Sequence, residues 1–429
     1  MVKACRVSRR RQRPLRECPA REVSAPAAPV LGLLCSSVVA TILRILLGST
    51  VSAGIHAYLW LRLVRPARLS RRWHIAATLG LIAMYLSIPI TTTSRMYAPE
   101  LSATLGWIAL PWMALAGLTF VTLVVFDGLR LTGWIVRASR RSAAGAAEVP
   151  QLSRRQFLTR VSGGAALAIG SGSVATGMAQ ARGEHAVVDV EVGLAKLPRA
   201  LDGFTIVQLS DLHTGMTIDR AFVQRVVDHT NRLSPDLIAL TGDLVDGKVE
   251  DLRDDVAPLA QLRARHGVFA ITGNHEYYAG ADPWIAEITR LGARYLRNER
   301  VVIGDGAASF DLAGVDDYSA TGWPGHGEDL PAALAGRDRS RALVLLAHQP
   351  RQVRRAVGHG VDLQLSGHTH GGQIWPWHYI ARIQQGGLLA GRYQVGGTQL
   401  YVTRGCGYWG PPVRLLAPLE ITRVILRAV

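Results

Sequence analysis

Five short segments in the second half of the chain hold nearly every residue type that a two-metal site needs. Asp211-Leu212-His213 follows the apolar run FTIVQLS, Gly242-Asp243-Leu244-Val245-Asp246 follows DLIALT, and Gly273-Asn274-His275-Glu276 follows GVFAIT. His348 follows ALVLLA, and Gly367-His368-Thr369-His370 follows VDLQLS. Carboxylate, imidazole and amide oxygen together suit borderline cations such as Mn²⁺, Fe²⁺ or Zn²⁺. Asp243 comes just after a glycine that leaves room, so its carboxylate could bridge two cations; ions sharing one anion sit about 3.5–4 Å apart. Asp211 and His213 leave one turn two residues apart and can reach the same ion. Asn274 offers a neutral oxygen, which keeps the cations acidic. Cys406 stands alone in this half and no CxxC pair exists, so sulfur contributes nothing.

A strand that delivers a His, Asp or Asn at its carboxyl end, five times over, builds one site from separate strands. Open α/β sheets place their chemistry there. Strands are expected at Thr205–Leu209, Leu237–Leu240, Val268–Ile271, Leu343–Ala347 and Leu363–Leu365, with helices over Asp219–Leu233 and Pro350–Val357. After Gly396 the runs Gln399–Thr403, Val413–Leu416 and Glu420–Leu426 read as strands without helices. The natural assembly is a mixed sheet folded as two packed sheets flanked by helices.

The formal charge of +16 belongs to the other half. Residues 1–160 carry 22 Lys+Arg against 5 Asp+Glu, and residues 161–429 carry 26 against 27. The half with the five segments is near neutral and offers no basic stripe, so no nucleic-acid partner is expected. Val30–Val64, His74–Thr93 and Ala103–Phe126 are apolar stretches, the last two close to the 20 residues of a spanning helix. Arg62, Arg65, Arg68, Arg71 and Arg72 cluster in one connection, and Arg130, Arg137, Arg140 and Arg141 in another. The positive-inside rule makes these loops cytoplasmic and the 94–102 loop external. Whether Val30–Val64 holds one span or two is open.

Residues 137–152 read as a polar linker. Ser153-Arg154-Arg155-Gln156-Phe157-Leu158 is followed by a Gly/Ala/Ser-rich run and a small-x-small site at Ala179–Ala181. This resembles a twin-arginine export signal, which implies the twin-arginine export machinery as a partner; the alternative is a membrane helix with flanking arginines. Both carry the following chain across the membrane. The expected division is a membrane-spanning region 1–136, a linker with signal or anchor helix 137–185, and a catalytic domain 186–429. Trp375, Pro376, Trp377 and Tyr379 form an aromatic cluster after the last segment, either a core plug or an apolar rim touching membrane.

The series D-x-H, G-D-x-x-D, G-N-H-E, isolated H and G-H-x-H resembles the calcineurin-like metallophosphoesterase superfamily over about residues 200–420. GHTHGGQIWP, GGTQLYVTRGCGYWGPP and the arginine-pair placement resemble its membrane-associated YaeI/YkuE-type phosphodiesterase group. The resemblance implies a four-layer αββα sandwich after a multi-span membrane region, and two divalent metal ions (Mn, Fe or Zn). It implies Asp211, His213, Asp243 and His370 as ligands of one metal, and Asp243, Asn274, His348 and His368 as ligands of the other. His275 is then the general acid or transition-state donor and Asp246 its orienting partner, while Glu276 is either a supporting or a packing residue. The implied activity is metal-dependent hydrolysis of a phosphoester, with a phospholipid or other lipid-linked phosphate as substrate and membrane lipids as partners. A lipid-linked pyrophosphatase, a protein phosphatase and a non-catalytic membrane scaffold are the alternatives. The implied location is a bacterial inner membrane, multi-pass, with the catalytic domain outside the cytoplasm.

Overall fold

The computed structural model describes residues 46–95, 97–141 and 152–429, with the side chains of 140–141 and 152–155 outside that description. The readings of residues 1–45 and the Arg154–Arg155 side chains therefore lie outside the described residues. Residues 52–429 form one compact unit.

Among the described residues four α-helices lead into the sheets: α1 (46–59), α2 (Arg71–Ser94), α3 (Pro99–Arg141) and α4 (Leu152–Arg182). Two of them, α2 and the stretch Pro99–Ser139 of α3, are long and apolar enough to cross a membrane. They run antiparallel, since Ser102 near the start of α3 donates to the carbonyl of Thr91 near the end of α2. Of the expected stretch Val30–Val64, residues 46–64 are described and form α1 and the π-helical turn Trp60–Val64, while 30–45 lie outside the described residues. Residues 152–182, read as linker and signal, make one continuous helix whose Ala181 is buried in the core of the following domain. Of the small-x-small site, Ala181 is packed while Ala179 and Gln180 are exposed.

The domain itself is two six-stranded mixed sheets. The first runs β1 (Ala186–Leu194), β12 (Glu420–Ala428), β2 (Thr205–Leu209), β3 (Leu237–Leu240), β4 (Val268–Ala270), β5 (Arg294–Tyr295). The second runs β10 (Gly391–Val395), β11 (Thr398–Val402), β9 (Leu363–Ser366), β8 (Leu343–Leu346), β7 (Ala308–Gly314), β6 (Glu299–Asp305). In each sheet the central strands are parallel and apolar on both faces, because both faces are covered. Ile206, Leu237 and Phe269 of the first sheet meet Phe310, Val344 and Leu365 of the second in one core between the sheets.

Helices α5 (Arg220–Arg232), α6 (Val249–Val256), α7 (Asn274–Ala279) and α8 (Ala281–Arg290) follow strands of the first sheet. Helices α9 (Leu330–Ala333), α10 (Val353–Ala356) and α11 (His378–Gln384) follow strands of the second. Phe222, Val226, Leu252, Trp284 and Ile288 cover the outer face of the first sheet, and Leu330, Ala333 and Ala356 that of the second. The layers are therefore helix, sheet, sheet, helix, as expected.

Two local expectations need correction. The helix over Pro350–Val357 is a 3-10 turn, a single α-turn (α10) and another 3-10 turn. Val413–Leu416 is not a strand; it makes only an isolated bridge at Leu415. Its residues are apolar because Val413 and Leu415 pack against Ala114, Leu118 and Val174 of α3 and α4.

Candidate metal centre

The strands end in loops that bring the five segments together. Asp211, Asp243, His348 and His370 are all buried, and Asp243 lies between two groups of candidate ligands. One group is Asp211, His213 and His370, another is Asp243, His348 and His368, and a third, His213, Asp243 and His275, overlaps both, with ligand atoms in each within 4.8 Å of one another. His213 Nε2 is 3.0 Å from His370 Nε2 and 3.7 Å from Asp243 Oδ2, which joins the groups into one centre.

The backbone is bent to achieve this. Asp211, His213, Asp243, His368 and His370 all adopt positive φ, between 52° and 71°. Non-glycine residues rarely do so, and each costs of order 1 kcal/mol, so five at one place mark a site held by its surroundings. Glycines allow the loops to touch. A Cβ on Gly242 (φ +88°) would lie 2.5 Å from the Gly273 nitrogen, and one on Gly367 would lie 2.3 Å from Asp211 Oδ2.

Hydrogen bonds fix what each ring presents. His348 donates from Nδ1 to the Thr241 carbonyl at 2.7 Å, which leaves the Nε2 lone pair 3.1 Å from Asp243 Oδ2. His213 and His275 donate from Nδ1 to the same oxygen of Asp246, at 2.9 and 2.6 Å. This frees His213 Nε2 for a cation and His275 Nε2 for a substrate. The Asp211 carboxylate accepts the His368 N–H at 2.8 Å, and Asp243 Oδ1 accepts the His275 N–H at 2.8 Å.

Residues present and cations match in a further respect. Asn274 Oδ1 and His368 Nδ1 are buried without any hydrogen-bond partner, and His348 Nε2 faces only Asp243 Oδ2. An unpaired buried polar atom costs about 1–3 kcal/mol, and three lone pairs in one centre call for an acceptor of electron pairs. Burial pushes the His368 pKa down to about 3, so that ring is neutral and able to ligate. Burial would push the Asp246 carboxyl up, but His213 and His275 outweigh it and hold the group far below the usual carboxylate range. Burial would likewise lower His275, yet Asp243 and Asp246 raise it to about 9. Cations bound beside Asp243 would bring that value back toward neutrality.

The structure brings together all nine residues singled out in the sequence: Asp211, His213, Asp243, Asp246, Asn274, His275, His348, His368 and His370. It also resolves Glu276, whose carboxylate accepts the N–H groups of Gly273 (2.6 Å), Leu244 (2.7 Å) and Asp243 (2.9 Å). Glu276 is a clamp that ties the second segment to the third. Arg414 was hidden in the sequence, because it stands in an apolar run read as a strand; its only signal is a charge in such a run.

A two-sheet sandwich with a cluster of nitrogen and oxygen metal-ligand candidates at its strand ends is the architecture of a metallophosphoesterase, and the chain belongs to that family. Residues 204–372 match the family of calcineurin-like phosphoesterases. A zebrafish (Danio rerio) protein called "Transmembrane protein with metallophosphoesterase domain" is 33% identical over 390 residues, 86% of either chain. The "Uncharacterized metallophosphoesterase YkuE" of Bacillus subtilis is 34% identical over 290 residues, covering 65% of this chain and 99% of that protein. The protein is a metal-dependent phosphoric ester hydrolase, and its two apolar helices together with the zebrafish relative mark it as a membrane protein.

Proposed function

We propose that the protein hydrolyses a phosphodiester carried by a membrane lipid, on the extracytoplasmic face of a bacterial inner membrane, using two divalent ions (Mn, Fe or Zn). The observation that carries this reading is the contact between the ligand-bearing loops and the spanning helix. Trp377, seven residues after His370, packs on Gly117 of α3, where an added Cβ would come within 2.9 Å of its ring. A site mounted on a membrane helix meets lipid phosphates before soluble ones, and most of those are diesters.

Support for the sidedness comes from the arginines. The α2 end with Arg71 and Arg72 adjoins Arg68, which donates to Gln156 of α4, and Arg160 of α4 donates to the Pro66 carbonyl. The arginines thus gather at one end of the helices, and the phosphoesterase domain meets α3 at the other, around Ser102 and Gly106. Multi-pass insertion and export through the twin-arginine machinery complete the proposal.

In the proposed reaction Asp211, His213, Asp243 and His370 hold one ion, and Asp243, Asn274, His348 and His368 the other. Divalent ions there supply Lewis acidity to the phosphoryl oxygens and lower the pKa of water. Asp246 orients two rings through one oxygen. His275, charged beside that carboxylate and with Nε2 free, gives a proton to the departing oxygen. Trp409 and Tyr278 flank the His275 ring, with centroids at 5.9 and 5.3 Å, and screen the transfer from water.

The test is the full chain in detergent or vesicles, loaded with Mn²⁺, Fe²⁺ or Zn²⁺. Bis(p-nitrophenyl) phosphate, p-nitrophenyl phosphate and vesicle phospholipids would be compared. Faster cleavage of the diester than the monoester, with turnover of vesicle phospholipid, is expected. Turnover of the monoester alone would sink the proposal.

A further inference from the structure

The phosphoesterase domain reaches far down the spanning helices. Ser102, which bonds to Thr91, marks the rim of the α2–α3 pair near the turn that joins them. Gly106 meets Met216 and Thr217, Gly410 lies against Met113, and Trp377 lies on Gly117. From Ser102 to Gly117 is fifteen residues, about 22 Å along a helix. A bilayer hydrocarbon core is about 30 Å thick. With α2 and α3 spanning it, the loops around Trp377 and Val413 lie below the membrane surface rather than above it.

Their chemistry agrees with that depth. Ile374, Val413 and Leu415 pack on α3 and α4, so the side chains at this contact are apolar, with one backbone bond from Arg414 N–H to the Gly177 carbonyl at 2.9 Å. Immediately beside it, α11 leaves Tyr379, Ile380 and Ile383 exposed by 59, 54 and 79%, with Trp375 at 44%. Positions 379, 380 and 383 share one face of a helix. The helix carries no Asp or Glu, and its single charge, Arg382, has a stem long enough to reach headgroups. An apolar face of this kind beside a spanning helix, with tyrosine and tryptophan at its edge, matches a segment lying in a lipid interface. The aromatic cluster is therefore no core plug.

We propose that α11 and Trp375 form a wedge that inserts into the bilayer from the domain's side, so that the metal centre opens onto lipid. The wedge is tied to the centre at both ends. Gly372, two residues after His370, lies against His378, and Arg351 donates to the Gln384 carbonyl at 2.8 Å. This deepens the proposed lipid reading, and rests on it only for the substrate, since insertion itself requires no turnover.

Photolabelling tests it. The full chain would be reconstituted in phosphatidylcholine vesicles holding a phospholipid with a diazirine in its acyl chain, irradiated and digested. Adducts on peptides carrying residues 375–384 are expected, beside those on α2 and α3. Adducts confined to α2 and α3 would overturn the proposal. In the double variant Ile380→Asp, Ile383→Asp the adducts at 375–384 should fall at least tenfold, while hydrolysis of bis(p-nitrophenyl) phosphate stays within twofold. Persistence of the adducts in that variant would also overturn it. Should the variant misfold, the wild-type labelling pattern decides alone. Labelling without phospholipid turnover would count against the lipid substrate and leave the wedge standing.

Discussion

Arg414 Nη2 lies 3.1 Å from Nδ1 of His370, and Arg414 Nη1 donates to the carbonyl of the same histidine at 2.8 Å. The guanidinium is fully buried and has no carboxylate within salt-bridge distance among the described residues. Its other donors go to the carbonyls of Arg404 (2.8 Å) and Gly407, the latter reached from both Nε and Nη2. Burial pulls its pKa down to about 10, still charged at neutral pH. The residue therefore ties the loop after β9 to the long connection between β11 and β12, around one candidate ligand.

Arg414→Lys keeps the charge but offers a point donor in place of a planar fork. At least two carbonyls would be left without donors, at about 1–3 kcal/mol each. We expect a folded but less stable protein that binds Mn²⁺ about 10-fold more weakly, because the backbone that carries His370 loses the donor to its carbonyl. Calorimetric titration of the metal-stripped chain checks this; unchanged affinity would show that His370 needs no such hold.

Glu276 and His275 are neighbours with separable tasks. Glu276→Gln would place an amide donor against three backbone N–H donors and so loosen Asp243. The variant should lose metal affinity and about 2 kcal/mol of stability. Its residual activity should keep the wild-type ratio of rates on alkyl and p-nitrophenyl leaving groups, because Glu276 moves no proton; a changed ratio would contradict the clamp role.

His275→Ala should leave metal affinity near wild type and lower kcat by about 10²- to 10⁴-fold, the usual contribution of a general acid. The loss should be greater for an alkyl leaving group than for p-nitrophenolate, which departs without a proton. Asp246→Asn differs, because Asp246 also orients His213. It should weaken both metal binding and turnover. Rate measurements on the two leaving groups, combined with metal titration of both variants, separate these roles; equal losses on both leaving groups would remove His275 as proton donor.

Much of the site was legible because its signal is local. An apolar run followed by Asp, His or Asn needs no knowledge of the rest of the fold, so β2, β3 and the ligands after them fall where the pattern put them. Three features are not local. The left-handed φ of Asp211 or His368 is imposed by contacts from other loops and leaves no mark on composition. Arg414 stands among valines and leucines whose apolarity serves a helix contact, which looks the same in sequence as a strand. The aromatic residues after His370 read equally well as core or membrane surface, and only their exposure separates the two.

His185, at the entrance to β1, makes the fold sensitive to acid. Its ring is buried, lies edge-on to Phe222, and donates from Nε2 to the Cys406 carbonyl at 2.7 Å. Burial lowers its pKa from 6.5 to about 4, against the opposing pull of that hydrogen bond. The sign follows from which state takes up the proton first. Above pH 6.5 the ring is neutral in folded and unfolded chains alike, and the full stability is present. Between 6.5 and about 4 the unfolded chain binds a proton that the folded chain refuses, so stability falls as pH falls. The loss approaches about 3 kcal/mol at the bottom of that window, at roughly 1.4 kcal/mol per pH unit. His185→Gln keeps a donor for the carbonyl and cannot titrate. Thermal midpoints taken in detergent at pH 7.5 and pH 5 should therefore drop further in the wild type than in this variant; equal drops would place the acid sensitivity elsewhere.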